Sequence, residues 1–266
     1  MGTAKCMVGG LAVHVTGEGP GVVLLHANGG DHRDFAPIIP ELARTHTVYA
    51  IDWPGHGDSG PADGPTAVGF AELLPGLLDE LGSGPFALIG NSVGGFAALR
   101  TAIARPDLVS HLVLVDPGGF TPRTPFMLAT CRLFGSERVA PTVMRQLPRL
   151  YLRRPTPEVE ATRARAVAAS RESARVSTFA SMWRSFADRE HDGRTGAGSL
   201  TVPTLLVWGT RDPVLPWLID GRRAVKALPR ATVVTFPCGH QPYLEMPGEF
   251  LAALEGFLAS STGQVT

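Results

Sequence analysis

Residues 86–99 read FALIGNSVGGFAAL. An apolar run, Phe86 to Ile89, stops at Gly90-Asn91-Ser92. Gly94 and Gly95 follow at once, and then a helix-forming stretch begins. A short apolar run followed by helical periodicity marks a strand-to-helix junction. Gly-x-Ser-x-Gly at such a junction is the nucleophile-elbow pattern. The turn it makes is tight, so the residues two positions to either side of the serine must be small. It lifts Oγ above the C-terminal end of the strand, while the helix that follows offers unpaired N–H groups and a partial positive charge. Ser92 is the candidate nucleophile, and the Val93 N–H a candidate oxyanion donor.

The pattern extends in both directions. Strand-like runs at 11–15, 22–26, 46–52, 86–90 and 111–117 alternate with helical stretches at 35–44, 67–82 and 93–106. The rhythm resumes with strands at 202–209 and 231–236 and helices at 217–228 and 247–260. Such alternation predicts an α/β fold, a mostly parallel sheet flanked by helices. Residues 118–199 break it. They are helical in composition, with fourteen arginines, no lysine and seven acidic residues. The expected organisation is a core of residues 1–117 and 200–266 with a helical insertion at 118–199. The tail SSTGQVT is expected to fray.

A serine hydroxyl needs a base, and the base needs an orienting group. His240 follows the last expected strand, and Asp212 the strand before it, which places both at the edge of the sheet that carries Ser92. That is where open α/β sheets build their sites. Asp116, after the 111–117 strand, is the rival acid; otherwise it braces the loop DPGGF. The loop after the 22–26 strand supplies the second oxyanion donor, the N–H of Asn28 or, next to it, of Ala27. The Asn28 side chain is read equally as a brace of that loop.

Formal charge cancels, with 24 Lys+Arg against 24 Asp+Glu in 266 residues. Nucleic acid or an acidic membrane as partner has no overall electrostatic support. Three scattered cysteines form neither a disulfide framework nor a metal-ligand spacing. No apolar stretch is long enough to span a membrane, and no signal-peptide pattern is present. The expectation is a cytoplasmic protein that acts on a small molecule with neither metal nor organic cofactor. Nothing in the sequence signals an oligomeric state.

These stretches together are similar to the α/β-hydrolase fold family over nearly the whole chain. LLHANGG (24–30), DWPGHGDS (52–59), GNSVGG (90–95), GTRDPVLP (209–216) and CGHQPYLEMPGEF (238–250) carry the resemblance. It implies the chain order Ser92, Asp212, His240 for a catalytic triad, and a cap or lid formed by 118–199. Asn91, PGGF (117–120) and CGH (238–240) resemble one branch, the carbon–carbon bond hydrolases that cleave ring-fission products. HANGGD in place of a longer Gly-rich loop, and Gln241 in place of Trp, depart from it. In that branch a cap arginine binds the substrate carboxylate, and Arg163 is the nearest candidate.

Asn91 is read as packing under the elbow or touching substrate. Trp183, Phe179 and Met182 are read as cavity lining or cap core, and Gln241 as a further substrate contact. His26 and His56 are expected to shape loops, Cys238 to fill space, and most cap arginines to form a solvated face. The expected chemistry is hydrolysis of a small, largely apolar ester, thioester, lactone or related carbonyl compound. The alternatives are carbon–carbon cleavage, a lyase or cofactor-free oxygenase on the same triad, or a ligand-binding receptor with slow hydrolysis.

Overall fold

Gly21–Leu25, Phe86–Asn91, Val109–Val115 and Thr204–Gly209 are apolar at most positions, which suits strands covered on both faces. In the computed structural model, which describes residues 2–82 and 84–260, they are β3, β5, β6 and β7 of one eight-stranded sheet. The others are β1 (Ala4–Val8), β2 (Leu11–Thr16), β4 (Thr47–Ile51) and β8 (Thr232–Phe236). The spatial order is β1-β2-β4-β3-β5-β6-β7-β8. β2 runs antiparallel to β1 and β4, and every pair from β4 to β8 is parallel. The C-terminal ends of β3, β5, β6, β7 and β8 therefore share one edge.

The helices are α1 (Ile39–Leu42), α2 (Ala67–Leu81), α3 (Val93–Ala104), α4 (Pro125–Phe134), α5 (Ala140–Tyr151), α6 (Pro157–Ala169), α7 (Ser173–Ser185), α8 (Arg222–Ala227), α9 (Pro242–Glu245) and α10 (Pro247–Ser260). Strand periodicity of two sends alternate side chains to opposite layers. Leu88 packs with Val23, Leu25, Leu112 and Leu114 under α2, α3 and α8. Ala87 and Ile89 pack with Val22, Leu24, Val113 and Val115 under α9 and α10. Truncating a fully buried leucine such as Leu88 to alanine costs about 2–5 kcal/mol, so this double-sided packing fixes where β5 ends.

Four helices, α4 to α7, connect β6 to β7. Thr124 and Thr156 cap two of them, each side chain accepting from the N–H three residues on, with proline in the first turn. α5 and α7 share an apolar cluster of their own around Val143, Met144, Val176 and Phe179.

Three differences from the element expectations stand out. β1 was not expected; it pairs with β2 across Gly9-Gly10, both at positive φ, a hairpin-turn dipeptide. The 35–44 stretch holds only a 3₁₀ turn, His32–Phe35, and the four-residue α1. Pro37 and Pro40 donate no backbone hydrogen bond, so the longer helix cannot close. The 217–228 stretch opens with a π-helical turn, Trp217–Gly221, before α8. The tail expected to fray lies, from residue 261 on, outside the described residues.

Candidate active site

β5 delivers the chain to Ser92 at φ 55°, ψ −116°, and α3 starts at the next residue. A non-glycine residue at positive φ is strained unless its surroundings hold it. Here Ser92 N–H donates to Val115 O (3.1 Å), and Ser92 O accepts from Phe96 and Gly118 N–H (both 2.9 Å). Close approach requires the flanking glycines. A Cβ on Gly90 would fall on the Gly94 carbonyl, and one on Gly94 on the Leu25 carbonyl.

His240 lies between β8 and α9. Its Nδ1 is 2.6 Å from Asp212 Oδ2. Asp212 Oδ1 accepts from Val214 N–H at 2.7 Å, which fixes the carboxylate plane. His240 N–H donates to Tyr151 O at 3.0 Å. Asp116, at φ 41°, accepts from Gly209 N–H at 3.0 Å. Burial, and then the charge of Asp212, raise the Asp116 carboxyl well above the usual carboxylate range.

Ser92, Val93, Ala27, Asn28 and His240 open onto one cavity of about 780 Å³. Its walls are mainly apolar and include Met127, Phe134, Leu147, Phe179, Trp183 and Phe186. Phe126, Leu133 and Leu150 also line it and are exposed, so its rim is apolar as well. The first N–H groups of a helix have no partner one turn back, and that of Val93 is one of these. The Asn28 side chain donates to Phe179 O at 3.3 Å, tying the β3 loop to α7.

A family model described as "Alpha/beta hydrolase family" matches residues 22–254. The chain belongs to this family. It is accordingly an enzyme of the hydrolase class. It is 28% identical to a 2-hydroxy-6-oxononadienedioate/2-hydroxy-6-oxononatrienedioate hydrolase of a Pseudomonas species, over 93% of this chain and 92% of that one. It is 29% identical to a pimeloyl-[acyl-carrier protein] methyl ester esterase of Chromobacterium violaceum, over 92% and 96%. An esterase structure from Thermogutta terrifontis shares the fold, with TM-score 0.82, 24% identity and coverage of 98% and 99%. Among the described residues, no helix is long and apolar enough to cross a membrane.

Three residues read as candidate substrate contacts, Asn91 with packing under the elbow as its equal alternative, do not line the enzyme's cavity. Asn91 is fully buried under the elbow: Nδ2 donates to Val115 O and His240 O, both at 3.0 Å, and Oδ1 accepts from Tyr243 at 3.2 Å. Arg163 is bound to Glu160 and, at 2.7 Å, to Leu152 O, and does not line the cavity. Gln241 is buried before α9. Trp183 and Phe179 do line the cavity, whereas Met182 packs into the sheet-side core.

His26 and His56 join the two loops beneath the cavity. Trp53 N–H donates to His26 Nε2 at 3.1 Å, and Gly29 N–H to His56 Nε2 at 3.2 Å. Burial pushes the His56 pKa down to about 3, so its ring is neutral and can accept. Burial raises the Cys238 thiol pKa, consistent with a space-filling residue.

Glu245 was missed. Its carboxyl accepts from Gly239 N–H (2.9 Å) and from Arg153 and Arg154 N–H (2.6 and 3.0 Å), clamping the chain after α5 to the His240 loop. A glutamate five residues after the histidine, at an apolar-facing position of a short helix, was its only signal. Asp220 was missed too. It lines the cavity on the π-helical turn, and Thr121 Oγ1 donates to its Oδ1.

Among the described residues, two groups of side chains gather metal-ligand atoms. One is the Asp116, Asp212 and His240 set. In the other, His14 and His32 flank Asp52, but their rings stack at 3.5 Å and 16°. Nitrogen lone pairs lie in the ring plane, so those of stacked rings run side by side instead of converging on an ion. Asp52 instead accepts from His32 N–H and Asp58 N–H, both at 2.8 Å, which shapes the loop after β4.

Proposed function

We propose that the enzyme is a serine hydrolase that cleaves a small, largely apolar ester, thioester, lactone or related carbonyl compound through an acyl-enzyme on Ser92. One observation carries the reading. Ser92, held at φ 55°, opens into the same cavity as His240, whose Nδ1 is 2.6 Å from Asp212. His240 Nε2 takes the hydroxyl proton as Oγ attacks the carbonyl carbon. Asp212 accepts from Nδ1–H, sets the tautomer and stabilises the imidazolium. The Val93 N–H and the Asn28 N–H, with Ala27 next to it, receive the oxyanion. One such donor is worth roughly 100- to 1,000-fold in turnover. His240 returns the proton to the leaving group, then activates the water that clears the acyl-enzyme. The cycle uses neither metal nor organic cofactor. Residues 118–199 serve as the lid over the core made by 1–117 and 200–266, and set substrate shape.

Carbon–carbon cleavage is the second reading. The Pseudomonas relative is named for a diacid substrate. Arg163, the candidate partner of a substrate carboxylate, does not line the cavity, but Arg123, Arg189 and Arg194 do, and Asp192 holds Arg194.

The test is labelling with a fluorophosphonate probe, wild type beside Ser92→Ala, with p-nitrophenyl esters of graded chain length. Labelling and turnover in the wild type, and neither in the variant, are expected. An active Ser92→Ala enzyme would sink the reading. Turnover of a vinylogous dienoic keto-acid in preference to esters would move it to carbon–carbon cleavage. Cyanide release or oxygen consumption would indicate the lyase or oxygenase. Saturable binding with negligible turnover would indicate a receptor.

A further inference from the structure

The turn Trp217–Gly221 partitions its side chains against expectation. Leu218 and Ile219 are exposed at 66% and 50%, while Asp220 is buried at 1%. Leu218 is exposed and does not line the cavity, Ile219 and Asp220 both line it, and a buried carboxyl is placed where it is least stable. The backbone is π-helical, a form that recurs at functional sites. It is held by contact: a Cβ on Gly221 would fall on the Trp217 ring. The result aims Asp220 into the cavity that holds Ser92 and His240.

The Asp220 carboxyl is only half used. Oδ1 accepts from Thr121 Oγ1, and among the described residues Oδ2 has no hydrogen-bond partner in the chain. The charged groups acting on it are Asp212 and, on the next helix, Arg223, whose Nε donates to Phe120 O at 2.7 Å. Oδ2 is not among the enclosed atoms that lack a partner, so it is open to the cavity that Asp220 lines. The cavity is otherwise apolar along most of its wall, so a substrate is the natural source of a donor.

We infer that Asp220 is a specificity-determining residue whose free carboxylate oxygen accepts a hydrogen bond from a hydroxyl or ammonium group of the substrate, selecting donor-bearing carbonyl compounds over plain alkyl ones. The inference rests on the serine-hydrolase reading of the same cavity. Burial, above all, raises the Asp220 pKa to about 6. The group is therefore mainly ionised at pH 7.5 and mainly neutral at pH 5. An ionised acceptor makes the stronger hydrogen bond, so selection strengthens as pH rises through about 6. A pH effect on the chemical step common to both members of a substrate pair cancels in their ratio.

The experiment compares wild type, Asp220→Asn and Asp220→Ala on matched p-nitrophenyl esters: hexanoate, 3- and 6-hydroxyhexanoate, and 6-aminohexanoate. Monohexanoylglycerol against propyl hexanoate covers a donor on the alcohol side. The readout is the ratio of kcat/KM for donor-bearing over plain substrate, from pH 5 to 8. In the wild type at least one donor-bearing substrate should be preferred, roughly 10- to 100-fold at pH 7.5, with the preference falling toward pH 5. Loss in Asp220→Ala but retention in Asp220→Asn, without the pH dependence, assigns a hydroxyl. Loss in both assigns an ammonium group. If Asp220→Ala does not fold, the pH profile of wild type against Asp220→Asn decides alone. No donor preference in the wild type, one that is flat with pH, or one that Asp220→Ala keeps would overturn the inference. Fluorophosphonate labelling of each protein separates the two failures. Intact labelling with an unchanged ratio removes only the role of Asp220; an unlabelled wild type removes the serine-hydrolase reading, and this inference with it.

Discussion

At the scale of single residues, two carboxyls compete to orient one imidazole. Ligand atoms of Asp116, Asp212 and His240 all lie within 4.8 Å of one another. Asp212 makes the 2.6 Å contact with His240, while burial and the charge of Asp212 favour the protonated form of Asp116. An amide replaces a neutral acid with little electrostatic change, because it too can donate and accept. Asp116→Asn should therefore keep kcat within about tenfold of wild type. Asp212→Asn should lower it by about 10⁴-fold, as expected when the imidazole is left in the wrong tautomer. Steady-state ester hydrolysis by the two purified variants checks both values, and an inverted order would make Asp116 the orienting acid. Chain order and strand ends were enough to nominate Ser92, Asp212 and His240 from sequence, because each ends a strand at the same edge. Arg163 was singled out on weaker ground. Which side a cap arginine faces depends on helix packing, and fourteen arginines offer no periodicity that singles one out.

At the scale of elements, α7 connects the β3 loop to the cavity wall. Phe179 receives the Asn28 side chain through its carbonyl, and one turn on Trp183 meets Phe134 and Phe186 edge-on, with centroids 4.8 and 5.4 Å apart. Trp183 is partly exposed to the cavity, so truncating it enlarges the space for an acyl chain more than it weakens the core. Trp183→Ala should move the optimum of a p-nitrophenyl ester series from acetate to laurate toward longer chains, at about 2 kcal/mol of stability. An unchanged optimum would show that α7 does not set chain length. β3, β5 and β6 were legible in the sequence because burial on both sides leaves few polar choices, and α2 because one face carries its buried residues at helical spacing. β1 was not: four of its five residues are exposed, so its pattern carries no core signal. The π-helical turn was equally hidden, since WLIDG has ordinary helical composition and only packing against Gly221 selects the wider turn.

At the scale of the whole molecule, buried titratable groups give the fold opposing responses to acid. Burial lowers His56 to about 3 and His191 to about 4, from an ordinary value of 6.5. Below pH 6.5 the unfolded chain binds protons at these sites that the folded one refuses, so stability falls as pH drops, until the folded pKa is reached. Asp220 acts in the reverse sense. Its pKa is raised from 3.8 to about 6, so its contribution is fully present below pH 3.8 and is lost as pH rises through 6. Net acid sensitivity is therefore smaller than the histidines alone would give, and a variant is needed to isolate one term. His56 is the cleanest choice because it is buried at 4% and bridges two loops without entering the proposed chemistry. Moving from pH 7.5 to pH 5 should cost the wild type about 2 kcal/mol through His56 alone. His56→Gln has no proton to refuse. It should be less stable than wild type at pH 7.5, having lost the Gly29 bridge, yet lose about 2 kcal/mol less on acidification. Urea unfolding of both proteins at the two pH values measures that difference. Equal losses would mean that His56 is protonated in the folded protein, and that the loops beneath the cavity are held by a charged ring rather than a neutral one.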